Sequence, residues 1–414
     1  MKPEPSLASR RALLRFVAAS PLLTWPTLSA LGNANAADPG DEALDGTMLG
    51  GELMPGVVDD VLNVFQMREI ARGKIHPDAW AWLSTGSDGG KTLAANRKVF
   101  DQLQIRIRRL IDVRTVDTAI EIFGERYASP ILLAPIGIQS VFHPEAELPV
   151  ARAAASQGHR MIAANLSSVS FEELAAAGPA PWFQLYTRWD RGLIRDLLQR
   201  VAAAGCPAIT LTTDTPIGGH RETAMRAVIR MVQHGPLRFG NIAEKDEPLA
   251  DTNPGLSWEY VDWLRGVTPM KVLIKGIVTR EDALLAREHG ADGLIVSNHG
   301  GRQEESGRST LESLPEVLEA VDGSMPVLVD SGFRRGTDIF KALALGARAV
   351  CIGRPQVWGL GAFGQAGVEQ VLGLLQAELV RIMRFAGTTS IAQITRDRIQ
   401  ATAACSWLPG PDRS

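Results

Sequence analysis

From Pro130 onward, short apolar runs rich in β-branched residues alternate with longer stretches of helical periodicity, the pattern of βα units that build a parallel sheet. Eight runs read as strands: Ile131 to Ala134, Met161 to Asn165, Trp182 to Tyr186, Ile209 to Asp214, Val272 to Lys275, Gly293 to Asn298, Val327 to Asp330 and Ala349 to Gly353. Between them lie Ala/Leu/Glu-rich helical stretches such as Glu145 to Ser156, Gly192 to Ala204, Arg280 to His289 and Thr337 to Leu345. Gly205, Gly290 and Gly346 follow three of these, where a helix C-cap favours glycine. Eight such units in series predict an α/β fold, a (β/α)8 TIM barrel. A doubly wound open sheet is the competing arrangement, but the Gly-rich dinucleotide turn that marks it after a first strand is absent.

With 414 residues and 45% hydrophobic content the chain can bury one large core, so residues 57–414 read as a single barrel domain. The first residues differ in character. Ser9-Arg10-Arg11 opens a basic region, an apolar Ala/Leu-rich stretch runs to Ala30, and Ala34-Asn35-Ala36 supplies a small-residue cleavage site. Residues 1–36 therefore read as a cleavable signal peptide of the twin-arginine type, cut after Ala36. A retained basic amphipathic anchor is the alternative. The signal implies the Tat export machinery as a partner and a periplasmic or other extracytoplasmic address. Residues 37–56, rich in Gly, Asp and small side chains, read as a linker or arm.

Charge and cysteine content narrow the chemistry. A net charge of -3 without basic runs gives no footprint for nucleic acid. Cys206, Cys351 and Cys405 are dispersed, which indicates neither a disulfide framework nor a metal site.

The polar residues gather at one end of the strands. Gln184 and Tyr186, Thr212 and Asp214, Lys275, His299 and Asp330 all sit at or just beyond the C-terminal end of an apolar run, the face on which barrels carry their active sites. The segment from His220 to Ser257, long, rich in Gly, Pro and charge and with only a short helical pattern inside it, is a candidate lid or substrate loop on that face. Lys275 ends an apolar run and needs an anionic partner, either a carboxylate or a cofactor that becomes anionic when reduced. Asp330-Ser331-Gly332-Phe333-Arg334-Arg335-Gly336 and Ile352-Gly353-Arg354-Pro355 combine glycine backbone with arginine forks on the loops where barrels bind phosphate. His299 lies in a glycine-flanked loop. Asp214 can orient its imidazole, while Arg221 and Arg302 can clamp a substrate carboxylate, which together describe proton removal beside a bound acid.

The motifs Ser297-Asn298-His299-Gly300-Gly301-Arg302-Gln303, Phe183-Gln184-Leu185-Tyr186 and Asp330 to Leu345 with Gly353-Arg354-Pro355 after it resemble the FMN-dependent α-hydroxy-acid oxidase/dehydrogenase family. That family includes glycolate oxidase, lactate oxidase, lactate 2-monooxygenase, mandelate dehydrogenase and flavocytochrome b2, and the resemblance runs from about Val64 to near Arg398. It implies FMN as cofactor and oxidation of a small L-2-hydroxy acid to the 2-oxo acid, with O2 or another redox acceptor reoxidising the flavin. In its terms His299 is the base, Asp214 its carboxylate partner, Arg221 and Arg302 the carboxylate-binding arginines, and Tyr186 the tyrosine that touches the substrate. Lys275 is the lysine at flavin N1 and O2. Pro135, Ile136 and Gly137 flank N5; Ala164, Gln184, Thr212 and Ser297 meet the isoalloxazine or ribityl; Asp330, Gly332, Arg334, Gly353 and Arg354 hold the ribityl and phosphate. A homo-oligomer, as in tetrameric relatives, is implied as well.

Three departures bear on specificity. Trp82 stands where the family has a second substrate-binding tyrosine, and an indole N–H can donate but not accept. Leu166 stands where glycolate oxidase has a tryptophan. Gly137 replaces the alanine of the oxidases, as in lactate 2-monooxygenase and mandelate dehydrogenase, and the missing methyl is expected to leave more room near N5. Oxidase, acceptor-linked dehydrogenase and oxidative decarboxylation as in lactate 2-monooxygenase thus stay open. There is no CxxCH, so c-type haem is not indicated. An FMN-dependent barrel isomerase and a non-catalytic FMN-binding protein are the other classes. The two carboxylate-directed arginines of the HGGRQ loop disfavour the first, and retention of the whole base and arginine set disfavours the second.

Overall fold

The computed structural model describes residues 55–187, 190–233, 237–242 and 253–408. All of them belong to one compact unit, Asp38–Ser414. The expected signal segment, its cleavage site after Ala36 and all but the last two residues of the 37–56 arm lie outside the described residues.

Strand β1 (Leu103–Ile105) precedes a hairpin of β2 (Ile120–Ile122) and β3 (Glu125–Tyr127). Then come β4 (Ile131–Leu133), β5 (Arg160–Ala164), β6 (Trp182–Leu185), β7 (Ala208–Thr212), β8 (Lys271–Ile277), β9 (Gly293–Val296), β10 (Val327–Asp330) and β11 (Ala349–Ile352). Strands β4 to β11 close into an eight-stranded barrel, β11 pairing in parallel with β4, and β12 (Ile399–Ala401) returns antiparallel to β1. The eight expected strands are therefore the eight barrel strands, with ends shifted by a few residues at most. Closure excludes the open-sheet alternative. The glycines expected to end helices adopt positive φ, 87° at Gly205, 69° at Gly290 and 117° at Gly346, the left-handed conformation that lets the chain leave the last turn.

Strand side chains alternate between two cores. Leu132, Ile162, Trp182, Leu273, Ile295, Leu328 and Cys351 share the barrel interior with Ile120, Ile122 and Tyr127 of the hairpin, whereas Leu133, Phe183, Val296 and Val329 face the surrounding helices. Trp182 opens β6 and its ring lies 5.7 Å from Phe123 in the hairpin turn, so the hairpin stoppers the N-terminal end of the barrel. With that end filled by side chains, only the C-terminal mouth is left to receive a ligand.

The segment between β7 and β8 is more structured than its sequence suggests. Helix Glu222–Gln233 is a full 12 residues, buries Ala224, Ala227 and Met231, and packs on helix Pro77–Ser84. Arg230 Nε donates to Asp78 Oδ1 at 2.6 Å across that contact. Glycine, proline and charge in the surrounding sequence obscured the apolar stripe, since these residues lower average hydropathy without interrupting the period.

Trp182 is 1% exposed, so Trp182→Ala opens a cavity between barrel and hairpin that neighbours cannot fill. It is expected to lower stability by about 3–5 kcal/mol, read from equilibrium urea unfolding; a loss under about 1 kcal/mol would show that the hairpin repacks freely.

Candidate active site

A cavity of about 350 Å³ opens at the C-terminal mouth. Nearly every residue singled out from the sequence lines it: Trp82, Pro135 to Gly137, Ala164, Gln184, Tyr186, Thr212, Arg221, Lys275, His299, Arg302, Asp330, Gly332, Arg334, Gly353 and Arg354. Asp214 and Ser297 stand one layer behind. For Asp214 this is the expected role. Ser297, expected at the cofactor, is 1% exposed, donates to Asp330 Oδ2 at 2.9 Å and accepts from His299 N at 3.1 Å, so it braces two lining residues.

The reactive pair is well defined. His299 Nδ1 and Asp214 Oδ1 are 2.8 Å apart, and Lys275 Nζ lies 3.3 Å from the other Asp214 oxygen and 3.8 Å from Asp330 Oδ2. A carboxylate only accepts, so the contact fixes the Nδ1–H tautomer and leaves Nε2 with its lone pair. Burial would raise the Asp214 pKa, but Lys275 and His299 outweigh it and hold the carboxyl at about 2. Burial depresses His299, helped by the positive charges of Lys275 and Arg302 and opposed by Asp214, so the ring is a free base at neutral pH. Lys275 is pulled down by burial and pushed up further by Asp214 and Asp330, and stays protonated. Gly276 makes this packing possible: at φ 109°, a side chain there would meet Asp214 Cβ at 2.8 Å.

The HGGRQ stretch is held from several sides. His299, Gly300 and Gly301 are consecutive left-handed residues with φ of 57°, 69° and 71°, a conformation unfavourable for histidine that persists only where surroundings impose it. Asn298 and Asn96 exchange reciprocal side-chain hydrogen bonds of 2.9 Å, and Gly300 N donates to Ser331 Oγ at 3.0 Å. At Gly301 a Cβ would lie 2.5 Å from Leu93 N. Gln303 Oε1 accepts from Gly219 N at 2.9 Å, two residues before Arg221, so the last residue of the motif positions the other arginine.

Arg302 Nη1 donates to the carbonyls of Trp82 and Leu83 at 2.7 and 3.1 Å, with its guanidinium 4.8 Å from the Trp82 ring centroid. Trp82 thus orients an arginine by cation–π contact as well as lining the cavity. Arg221 is different: its Nε and Nη1 are buried without a hydrogen-bond partner. Burial lowers the pKa of both arginines, and the proximity of other guanidinium groups adds to this. Among the described residues five cationic side chains, Arg221, Lys275, Arg302, Arg334 and Arg354, line the cavity against the one carboxylate of Asp330. Such a surplus calls for anions, and a phosphorylated cofactor together with a carboxylate substrate supplies them.

On the phosphate side the arginines are more engaged than their sequence suggests. Arg354 Nε donates to Leu83 O at 3.0 Å and Nη1 to Gly300 O at 3.1 Å, which ties the eighth loop to the HGGRQ loop. Arg334 Nη1 donates to Phe333 O at 3.0 Å and its guanidinium lies 4.8 Å from the Trp358 ring centroid. Asp338 gathers the backbone N–H groups of Arg334 and Arg335 and the Arg97 guanidinium, all within 3.1 Å. Asn96, Arg97, Asp338 and the buried Glu147, which accepts from Gln139 N and Ser168 N at 2.9 Å, were not singled out from the sequence. Only Asn298, inside the motif, and Asp338, four residues after Arg334, left any signal there.

Gly137 also requires correction. A Cβ at this position would lie 2.7 Å from Leu166 O and 2.9 Å from Leu166 Cβ, and Ile138 N donates to the same carbonyl at 2.8 Å. The missing methyl does not leave open room; it allows the loop after β5 to close against the loop after β4. Gly137→Ala must push these backbones apart, so we expect a loss of about 1–3 kcal/mol in stability with weakened cofactor retention, measured by urea unfolding and by flavin fluorescence on dilution. Unchanged values in both would show that the gap is compliant.

A family model described as FMN-dependent dehydrogenase matches residues 71–401. The chain is 38% identical over 358 residues to an L-lactate oxidase of Nostoc sp., covering 81% of this chain and 97% of that protein. It is 40% identical over 353 residues to glycolate oxidase 1 of Zea mays, covering 82% and 96% respectively. Among solved structures, a mandelate oxidase variant with 2-hydroxy-phenylacetamide superposes with a TM-score of 0.76 at 39% identity, covering 83% of this chain and 98% of that one. A monotopic membrane protein, (S)-mandelate dehydrogenase, gives 0.76 at 32% identity, covering 83% and 100%. A closed barrel, a cation-rich mouth and a histidine base held by a buried carboxylate thus coincide with matches over most of the chain: it belongs to the FMN-dependent α-hydroxy-acid oxidase and dehydrogenase family, whose chemistry is the oxidation of 2-hydroxy acids with FMN.

Proposed function

We propose that this chain oxidises (S)-2-hydroxy acids to 2-oxo acids with His299 as the base, and that O2 or another redox acceptor takes the electrons from the reduced cofactor. The observation that carries this reading is Arg221, a buried guanidinium with two unpartnered nitrogens at a cavity that also presents the free Nε2 of His299. A carboxylate on Arg221 and Arg302 satisfies those donors and brings the C2 hydroxyl group towards the histidine. The (S) configuration is supported by the names of two relatives, an L-lactate oxidase and an (S)-mandelate dehydrogenase.

FMN, when bound, supplies the two-electron acceptor. Pro135 to Gly137, Ala164, Gln184 and Thr212 would flank its ring system, Asp330 its ribityl chain, and Gly332, Arg334, Gly353 and Arg354 its phosphate, with Lys275 offering a positive charge to the ring. The substrate proton passes to His299 Nε2. Asp214 stabilises the imidazolium across the 2.8 Å contact, a role it can fill because its own carboxyl stays ionised. Tyr186, within electrostatic reach of Arg221, Arg302 and Lys275, would hydrogen-bond the substrate.

We further propose that residues 1–36 are a twin-arginine leader that exports the enzyme beyond the cytoplasm. The Arg10-Arg11 pair, the apolar stretch after it and Ala34-Asn35-Ala36 support this. The exported protein is expected to begin at Ala37 by intact mass; exported material retaining Met1 would refute cleavage.

His299→Ala is expected to retain FMN and to slow anaerobic flavin reduction by substrate about 100-fold or more. In the native enzyme the base must be neutral, so kcat/KM rises with pH through the His299 pKa. Because that pKa is depressed, the rising limb should lie below the ordinary histidine value of 6.5. A limb centred above 7, or wild-type reduction in His299→Ala, would exclude His299 as the base.

A further inference from the structure

The polar groups account for the carboxylate and the hydroxyl of a 2-hydroxy acid but not for the rest of the cavity wall. Trp82, Leu166, Val228, Leu237 and Phe239 also line it, contributed by helix Pro77–Ser84, the loop after β5, helix Glu222–Gln233 and residues 237–242. A hydrogen or a methyl on C2 would leave such a wall facing water in the bound complex. An aryl or branched side chain would cover it.

The position of Phe239 is imposed by its two successors. Gly240 N donates to Ser167 O at 2.8 Å, and a Cβ on Gly240 would lie 2.1 Å from the Val169 carbonyl carbon and 2.2 Å from Ser170 N, so only glycine allows this approach. Asn241, 5% exposed, uses both ends of its amide: Oδ1 accepts from Phe171 N at 2.8 Å, and Nδ2 donates to Ala164 O and Asn165 O at 3.3 and 3.2 Å. The middle of the insertion is thereby stitched to the end of β5, the strand whose last residue, Ala164, lines the same cavity and whose following loop carries Leu166. Leu237 and Phe239 thus precede a point fixed by one backbone hydrogen bond from Gly240 and three bonds of the Asn241 side-chain amide, which makes them a preformed wall.

We propose that the Gly240–Asn241 anchor sets Phe239 and Leu237 as a specificity wall, which with Leu166 and Val228 selects 2-hydroxy acids bearing a bulky apolar side chain, aryl or branched aliphatic, over glycolate and lactate. This rests on the reading of the site as a 2-hydroxy-acid oxidation centre. Phe239 meets the substrate side chain; Asn241 is a positioning residue that acts through it.

The test compares anaerobic flavin reduction and steady-state kinetics of the holoenzyme with glycolate, L-lactate, (S)-2-hydroxyisocaproate and (S)-mandelate. kcat/KM for the last two should exceed that for glycolate by about tenfold or more, the scale on which a hydrophobic pocket discriminates. Phe239→Ala and Asn241→Ala should each reduce that ratio about tenfold, mainly through KM for the bulky acids, with the rising pH limb unmoved because His299 is untouched. Glycolate or lactate preferred over both bulky acids, or a ratio unchanged in Phe239→Ala, overturns the proposal while the oxidation reading stands. If no acid in the panel reduces the flavin, the oxidation reading itself fails. Should Asn241→Ala not fold, Phe239→Ala alone decides.

Discussion

The site depends on one carboxylate shared between an imidazole and an ammonium. Asp214 meets His299 Nδ1 at 2.8 Å through one oxygen and Lys275 Nζ at 3.3 Å through the other, all three largely out of water. A buried charge left without its partner is destabilising by several kcal/mol, so Lys275 is not independent of Asp214, and His299 takes its tautomer from the same carboxylate. The same geometry divides the labour: Lys275 keeps its proton, while His299, crowded by positive charge, loses its own and presents Nε2. Asp330, the one carboxylate that lines the cavity among the described residues, is itself tied to Ser297 and Ser331, by contacts of 2.9 and 2.6 Å. What remains among the described residues is a mouth lined by a surplus of positive charge, suited to anionic ligands.

That arrangement is possible because the barrel brings strand ends together that are far apart in the chain. Asp214 follows β7, Lys275 lies in β8, His299 follows β9 and Asp330 ends β10, so neighbouring strands deliver neighbouring charges. The hairpin fills the opposite end, and the interior below the site is packed with Leu, Ile, Trp and Cys side chains that hold the strands apart by a fixed distance. Rigidity at the base and positive φ at the rim serve the same end. His299 keeps an unfavourable backbone conformation because Asn96, Ser331 and Leu93 each constrain the loop that carries it.

The N-terminal region and the insertion after β7 complete the mouth from outside the barrel. Trp82 and Leu83 give carbonyls to Arg302, Asn96 pairs with Asn298, and Arg97 reaches Gly332 O in the turn before helix Gly336–Leu345 and Asp338 in its first turn. The insertion presents Arg221 near its start and Phe239 near its middle, each fixed by a hydrogen bond from the glycine beside or near it, Gly219 to Gln303 and Gly240 to Ser167. One segment therefore contributes to both the polar and the apolar parts of the pocket, and a change in it would alter acid recognition and side-chain recognition together.

The order of the eight βα units, the end of the barrel that carries the chemistry and most of the residues around the cavity were legible in the sequence. Periodicity reports which face of an element is buried, and a polar residue at the end of an apolar run must find water or a partner at the mouth. Local order also made the glycine helix ends readable. What the sequence could not convey was which groups touch across the chain: Ser297 bonded to Asp330, Trp82 beneath Arg302, Arg354 bound to loop carbonyls, and Asn241 holding the wall. Gly137 is the clearest instance. Its composition implied space, but the distance to Leu166, a residue on the next strand's loop, shows the space filled. The sequence alone determined the elements and their polarity because these follow from the side chains of neighbouring residues; only the tertiary structure decided who is paired and what room is left, because close packing is a property of segments that meet from distant parts of the chain.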